Sequence, residues 1–208
     1  MRTVTNRQID LRTFITGSDA RIVMSDDRES LVRLWREKRG EVLPLEFSND
    51  LVAQLGSITQ HLHKKLYESA SGHTVREVRR PISHAIHKWM RADVTGRVQD
   101  TGAVFFTRFL PSGNFFEADV TNAHMAQLQH SMWVMAARVA VLSIITGDGK
   151  WVKTTVPADP LYQHLLLTAE KKFLRCVQTG EPPCLFRLET PNSNLGSIGA
   201  TAVLTSNQ

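Results

Sequence analysis

Cysteine is scarce in this chain of 208 residues, which contains only Cys176 and Cys184. Because no repeated Cys/His spacing surrounds them, a disulfide framework and a Cys/His zinc site are both excluded, and a reducing cytoplasm is the expected compartment.

Long apolar runs are also lacking. The most apolar one, residues 133–145, contains Arg138 and falls short of the roughly 20 residues that cross a bilayer. Residues 1–17 lack the continuous apolar region of a signal peptide. We therefore expect no membrane span.

The composition that remains is that of a globular domain, with 42% hydrophobic and 22% charged residues. The length fits one domain of ordinary size. Basic residues outnumber acidic ones by 25 to 20, which gives a formal net charge of +5 and a sequence pI near 9.5. This excess suits an anionic partner but does not by itself identify that partner as nucleic acid.

Capping signals predict two helices near the start of the chain. A short helix is expected to begin near Ala20 after a cap at Ser18 or Asp19. A second helix follows the acidic caps at residues 25–27 and ends at Gly40.

The strongest apolar periodicity lies in residues 51–72. Its members recur at spacings of three and four, which predicts one helix with a buried stripe, capped by Asn49 or Asp50 and closed by Gly72. The stripe consists of Leu51, Leu55, Ile58, Leu62 and Leu66.

Five segments rich in β-branched and aromatic residues predict strands. They are residues 74–79, 86–98, 103–110, 139–145 and 151–156. A turn at residues 99–102 joins the second and third into a hairpin, and a glycine-containing loop joins the last two.

Two further helices complete the pattern. One spans residues 121–137 and carries a predicted core stripe of Met125, Leu128, Met132 and Met135. The other has Asp159 as its N-cap and Pro160 at its first position, and it ends near Gly180. The order of elements predicts an α/β or α+β fold in which helices cover a sheet. We assign residues 1–186 to one domain and residues 187–208, which lack a periodic apolar pattern, to a flexible C-terminal tail.

Several short strings, in this order and spacing, resemble the YqaJ-like viral recombinases, which are similar to lambda exonuclease and belong to the PD-(D/E)XK nuclease superfamily. The strings are ITGSDA at 15–20, LWREKRG at 34–40, Tyr67-Glu68 before Ser71-Gly72, QLQH at 127–130 with Met132, and GEPP at 180–183. The resemblance covers about residues 12–183. It implies a phage or prophage origin, a PD-(D/E)XK core with a central mixed sheet flanked by helices, and, in active members, magnesium-dependent digestion of duplex DNA in recombination.

The resemblance also implies a catalytic set of three carboxylates and a lysine, because magnesium prefers hard oxygen ligands. The matching positions here are Gln60, Thr95, Phe106 and Arg108. Gln60 and Thr95 offer only neutral oxygens, Phe106 offers no ligand, and Arg108 does not deprotonate. We therefore expect a lost metal site, no bound metal cofactor and a catalytically inactive nuclease homologue.

DNA remains the expected partner of such a pseudo-nuclease. The resemblance implies that Gln127 lies beside the catalytic cleft and that Arg12 and Ser18 contact a DNA end phosphate, although Ser18 serves equally well as a helix cap. The sequence also contains a local cluster of basic residues. If this cluster borders the cleft, it would contact successive DNA phosphates, and if it does not, it is a solvated strand face. The cluster consists of Arg76, Arg79, Arg80, Lys88 and Arg91.

Two alternatives stay open. In the first, the chain is an active magnesium-dependent DNA exonuclease whose metal site has moved to acidic residues such as Asp93, Glu68, Glu117 or Asp119. In the second, it is a mobile-element interaction protein that binds a recombination protein, an active paralogue or a host defence complex. A homo-oligomer is compatible with each.

Overall fold

The computed structural model describes residues 14–44, 51–111 and 116–186. Predictions for Arg12, for the cap at Asn49 or Asp50 and for the tail at 187–208 therefore lie outside the described residues. The elements in chain order are β1 (Ile15–Thr16), α1 (Gly17–Val23), α2 (Arg28–Lys38), α3 (Leu51–Ile58), α4 (Gln60–Ser71), β2 (Val75–Glu77), β3 (Ile82–Ser83), β4 (Met90–Ala92), β5 (Gly96–Val98), β6 (Val104–Leu110), α5 (Glu117–Val134), β7 (Val139–Thr146), β8 (Trp151–Pro157) and α6 (Pro160–Thr179).

A five-stranded sheet in the order β2-β5-β6-β7-β8 forms the centre of the fold. Strands β6 and β7 run parallel, and the other neighbouring strands are antiparallel. The predicted mixed sheet and its β5–β6 and β7–β8 hairpins are thus confirmed. A second, three-stranded sheet has the order β1-β4-β3, in which β1 and β4 are parallel.

The prediction of one continuous strand over residues 86–98 is wrong. The chain leaves the smaller sheet after Ala92 and joins the larger one at Gly96. At Gly96 an added Cβ would lie 2.6 Å from Val75 Cγ1 and 2.9 Å from the Arg76 carbonyl oxygen. The missing side chain therefore allows β2 to pair closely with β5 at the point where the chain changes sheets.

Helices cover both faces of the central sheet. On one face, Leu128 and Met132 of α5 pack with Phe106 and Leu142 in the largest core cluster. On the other face, Tyr67 of α4 packs against Phe105, whose ring centroid is 5.1 Å away. This alternation follows from the strand period of two, which sends neighbouring β6 side chains to opposite faces.

The first helix begins earlier than predicted, at Gly17 rather than near Ala20. Its N-cap is Thr16, whose hydroxyl accepts a hydrogen bond from the Asp19 backbone N–H, while the Asp19 carboxylate accepts one from the Thr16 N–H at 2.8 Å. This reciprocal capping box places Ser18 inside the first turn instead of at the cap. Helix α5 also begins earlier than predicted, at Glu117. The predicted Asp159 cap of α6 is confirmed.

The predicted single helix over residues 51–72 is two helices, interrupted at Thr59, whose hydroxyl donates to the Leu55 carbonyl at 2.7 Å. Such back-bonding by threonine competes with regular helical hydrogen bonding. The predicted stripe is largely exposed, with Leu51 66% and Ile58 75% accessible. The face of α4 that is buried carries His63 and Tyr67 instead. Periodicity therefore located the helices but assigned the wrong buried face.

Among the described residues, no helix has the length and apolar content that crossing a membrane requires.

Candidate nucleic-acid cleft

A cleft of about 760 Å³ opens beside the ends of β5 and β6, between α1, α3 and α5. It gathers side chains that are far apart in the sequence. The predicted site residues that line it are Ser18, Gln60, Thr95, Phe106, Arg108 and Gln127. The four positions matched to the family's catalytic set thus border one space, and their part in catalysis or binding stays a prediction.

Close packing of α1 on α5 forms one wall of the cleft. A Cβ added to Gly17 would lie 3.0 Å from Gln127 Cγ and 3.2 Å from Ser131 Oγ, so a larger residue would push the two helices apart. The first turn of α1 therefore approaches Gln127 closely. This approach brings Ser18 and Arg21, which share one face of the helix, to the cleft.

Strand β6 presents different chemistry to its two sides. Phe106 is 3% exposed and packs in the core with α5, and Arg108, two residues on, also points toward α5. Thr107 lies between them and faces the opposite side, where its hydroxyl is 3.1 Å from that of Thr95. The predicted Phe106 and Arg108 positions therefore share one face, whereas Thr95 pairs with a residue that the sequence did not single out.

Arg108 is fixed at the floor of the cleft. Its Nη2 donates to Oε1 of Gln127 at 2.5 Å, and its Nη1 donates to the Thr107 carbonyl oxygen at 3.3 Å. Burial, together with the positive charge of Arg21, lowers the pKa of the Arg108 guanidinium. Even so, an arginine stays protonated at neutral pH, so Arg108 is a cation and not a base.

A buried histidine, His124, lines the cleft near the two arginines. Burial is the main reason that the pKa of His124 falls to about 4, and the charges of Arg108 and Arg21 lower it further. Its Nδ1 lies 2.8 Å from the Val120 carbonyl oxygen, which is positioned to accept a hydrogen bond from it. At neutral pH His124 is therefore uncharged.

The cleft residues do not form a magnesium site. Gln60 and Thr95 offer neutral oxygens, and Asp93 is the one carboxylate among the described residues that line the cleft. Magnesium is usually held by carboxylates together with water and phosphate oxygens, and the two arginines in the cleft would repel it. In the described segments, no three or more His, Cys, Asp or Glu side chains are grouped as metal ligands would be.

The acidic residues considered for a displaced metal site do not converge. Glu68 accepts a hydrogen bond from the Val75 N–H at 2.7 Å, which ties α4 to β2. Glu117 is bonded to the Thr154 hydroxyl, and neither it nor Asp119 lines the cleft. Asp93 alone among them borders the cleft.

No member of the predicted basic cluster is among the described residues that line the cleft. Arg79 is 3.8 Å from Glu77, and Arg91 stacks its guanidinium 3.2 Å from the Phe14 ring centroid and donates to Ser83. The cluster members Arg76, Arg80 and Lys88 are exposed. Phosphate binding by this cluster therefore stays a prediction.

The two glutamines of the QLQH string have separate roles. Gln127 lines the cleft, as predicted, whereas Gln129 is 1% exposed and structural. The Gln129 side chain donates to the Pro157 carbonyl and accepts from the Asp159 N–H, which joins α5 to the start of α6.

Arg21, Thr107 and His124 are among the cleft-lining residues that sequence reasoning missed. A signal for Arg21 was present, since it follows Ser18 by three positions and a helix places such residues on one face. Thr107 and His124 gave no such signal. Their positions depend on the packing of β6 and α5.

Comparison with solved structures identifies the class of fold. An alkaline exonuclease from Laribacter hongkongensis superimposes with a TM-score of 0.64 at 16% identity, over 81% of this chain and 89% of that one. A phage related exonuclease from Haemophilus somnus 129PT gives a TM-score of 0.61 at 10% identity, over 80% of this chain and 92% of that one. The fold is thus that of the lambda-exonuclease-like nucleases of PD-(D/E)XK type.

Sequence comparison identifies the family. A profile of the YqaJ-like viral recombinase domain matches residues 10–147. The uncharacterized protein YqaJ of Bacillus subtilis strain 168 is 26% identical over 184 residues, which cover 85% of this chain and 57% of that protein. The match thus takes in little more than half of that relative's length. The chain belongs to the YqaJ-like viral recombinase family.

Proposed function

We propose that this chain is a catalytically inactive homologue of the YqaJ-like recombination exonucleases that binds DNA without metal and without cutting it. The observation that carries the proposal is the content of the cleft. The four positions at which the family resemblance implies three carboxylates and a lysine carry no carboxylate and one arginine, Arg108, and Arg21 adds a second cation to the same cleft.

The change in charge alters what the cleft attracts. Three carboxylates hold magnesium, and without magnesium they repel a phosphodiester. Among the described residues that line the cleft, Arg21 and Arg108 stand against one carboxylate, Asp93, so the balance of lining charge favours an anion. Neither guanidinium generates hydroxide from water, which is the step that a catalytic metal supplies. Retention of DNA without hydrolysis follows from this combination.

Nuclease and binding assays on the same preparation test the proposal. Linear duplex DNA should stay intact with magnesium or manganese, while DNA binding in EDTA should weaken as salt rises, because it depends on counterion release by Lys and Arg. Arg108→Gln should weaken binding. Arg138→Gln is the matched control, since Arg138 is exposed and does not line the cleft.

Metal-dependent degradation that Asp93→Ala abolishes would overturn the proposal in favour of a displaced active site. Failure to bind DNA at low salt would contradict the part of the proposal that assigns DNA binding to the chain.

A protein-interaction function is the second candidate, and the exposed apolar side chains of α3 and α4 favour it. Leu51 and Ile58 of α3 and Leu62 of α4 are 66%, 75% and 47% exposed. Exposed apolar side chains that lie close together are typical of protein interfaces. Stable co-purification of a protein that Ile58→Lys releases, in the absence of DNA affinity, would support this function over the first.

A further inference from the structure

We propose that Arg21 and Arg108 together form a phosphate-binding site that takes the place of the metal ion at the centre of the cleft. The inference deepens the proposed function and depends on it for its biological meaning. Its ligand is a phosphate group, supplied either by the DNA backbone or by free inorganic phosphate. The inference starts from the observation that the residues lining the cleft are unsuited to binding magnesium.

The first step concerns unbalanced charge. Arg21 comes from α1 and Arg108 from β6, and both line the same cleft. Among the residues described, neither forms an ion pair with a carboxylate, although arginines elsewhere do, such as Arg33 with Glu37 at 2.9 Å. The two guanidinium groups repel each other, and an anion bound between them would relieve that repulsion. The excess of positive charge therefore favours an anionic ligand.

The second step concerns orientation. Arg108 is half-buried, and two of its five N–H groups are used by Gln127 Oε1 and the Thr107 carbonyl. These bonds hold the planar group at a fixed angle and leave the remaining N–H donors to bind a ligand. Guanidinium groups bind two oxygens of one phosphate in a forked geometry. A lysine at the same position would lack this fork.

The third step concerns the neighbouring groups. Gln127 is 6% exposed, and its Oε1 is used by Arg108, so its amide Nε2 provides N–H donors beside the cleft. His124 is neutral at pH 7 and adds no charge. Arg21 and the opposing carboxylate of Asp93 are both exposed, so water screens both charges, whereas Arg108 is half-buried and is screened less. The site offers several hydrogen-bond donors and two positive charges to a phosphate group.

The chemical consequence is retention in place of reaction. A metal ion at this position would polarise the phosphate and activate a water molecule. The guanidinium pair contacts phosphate oxygens but supplies no hydroxide. No bond of the phosphodiester is broken, so the cleft holds the strand where an active relative would cut it.

Titration calorimetry with inorganic phosphate in EDTA tests the site directly. Phosphate should bind the wild-type chain. Arg21→Gln and Arg108→Gln should each weaken it by about tenfold or more, the effect of losing roughly 1.4 kcal/mol of binding free energy. Arg108→Lys should give an intermediate loss because charge stays while the fork is lost. Arg138→Gln should bind as the wild type does, and melting transitions check that every variant is folded.

A second arm replaces phosphate with a metal-free DNA duplex. If Arg21→Gln and Arg108→Gln each weaken the binding of both phosphate and DNA, the result supports the site and identifies the DNA backbone as the source of the bound phosphate group. Phosphate binding that depends on the two arginines, without DNA binding, supports the site but defeats the proposed function. DNA binding that both variants retain in full overturns the site while the proposed function survives. Absence of phosphate binding in a folded wild-type chain also overturns the site.

Discussion

The Nη2 of Arg108 donates a 2.5 Å hydrogen bond to Oε1 of Gln127, and this contact joins the central strand β6 to helix α5 at the floor of the cleft. It fixes a positive charge at the position where the family resemblance implies a lysine. The contact therefore determines both the geometry and the charge of the proposed phosphate site.

Gln127→Glu should convert this contact into an ion pair. The new carboxylate would neutralise Arg108 and also face Arg21, so we expect phosphate and DNA affinity to fall by about tenfold or more. The melting temperature should stay unchanged or rise, because a half-buried cation gains a partner. Gln127→Met, similar in size but uncharged, is the control, and calorimetry in EDTA measures both. Equal losses in the two variants would show that charge is not the cause.

Restoring the family's catalytic set tests whether the four matched positions converge. The quadruple variant is Gln60→Glu, Thr95→Asp, Phe106→Glu and Arg108→Lys. Because all four residues line one cleft, the variant should bind magnesium or manganese measurably, while the wild-type chain should not. Calorimetry measures binding, and a cooperative melting transition shows that the variant folds. A folded variant without ion binding would show that the residues lie too far apart or face different sides.

Phe106→Glu alone should be the most destabilising of these four changes. Phe106 is 3% exposed and packs with Leu128 and Met132, so an unpaired carboxylate there would be buried among apolar side chains. We expect a loss of more than about 4 kcal/mol in the free energy of unfolding, against about 1 kcal/mol for Phe106→Leu. Denaturant unfolding measures both. A small effect of Phe106→Glu would mean that the side chain turns into the cleft and reaches water.

The sequence alone was sufficient to predict those helices and hairpins whose signals lie within a few neighbouring residues. Helix α6 begins after Asp159 with Pro160 at its first position, and the β7–β8 hairpin follows its glycine-containing loop, as predicted. Both depend on residues within a few positions of one another. The four positions matched to the family's catalytic set also line one cleft, and their role there stays a prediction. In that sense the order of motifs carried long-range information.

What could not be predicted depends on how the elements pack. The leucine stripe of α3 has the right period for burial, but the part of the chain described places no layer over Leu51 or Ile58. The basic cluster looked continuous in sequence, yet Arg76 lies on the larger sheet and Arg91 on the smaller one. Arg21 became part of the cleft only through the close approach of Gly17 to Gln127. None of these relationships is encoded in local spacing.

Acid should destabilise the chain through His63. This side chain is 0% exposed, with Nδ1 2.9 Å from Ser143 Oγ, and burial lowers its pKa to about 4. The unfolded chain binds this proton near pH 6.5, so stability falls as pH drops from about 6.5 toward 4, by up to about 3 kcal/mol. His63→Gln should remove that part of the slope. Substitution of the exposed His61 on the same helix should leave the slope as it is in the wild-type chain.

A buried pair at the junction of α5 and α6 should give the opposite pH dependence. His130 and Glu170 are each 0% exposed, with His130 Nδ1 2.7 Å from Glu170 Oε1 and His130 Nε2 2.9 Å from the Arg91 carbonyl oxygen. Burial alone disfavours the charged ring, but the Glu170 carboxylate and the Arg91 carbonyl outweigh it and raise the pKa of His130. The protonated ring then donates from both nitrogens.

Because the folded pKa lies above the unfolded value near 6.5, this pair contributes its full stability below about pH 6.5 and loses it as pH rises through the folded pKa. In Glu170→Gln burial disfavours the charged ring without a carboxylate to offset it, so the variant should be less stable than the wild-type chain by about 3 kcal/mol near pH 6, and this difference should narrow as pH rises through the folded pKa of His130. Denaturant midpoints across this pH range measure the difference, with the exposed Glu181→Gln as control. A difference that stays constant with pH would show that His130 carries no charge in the folded chain.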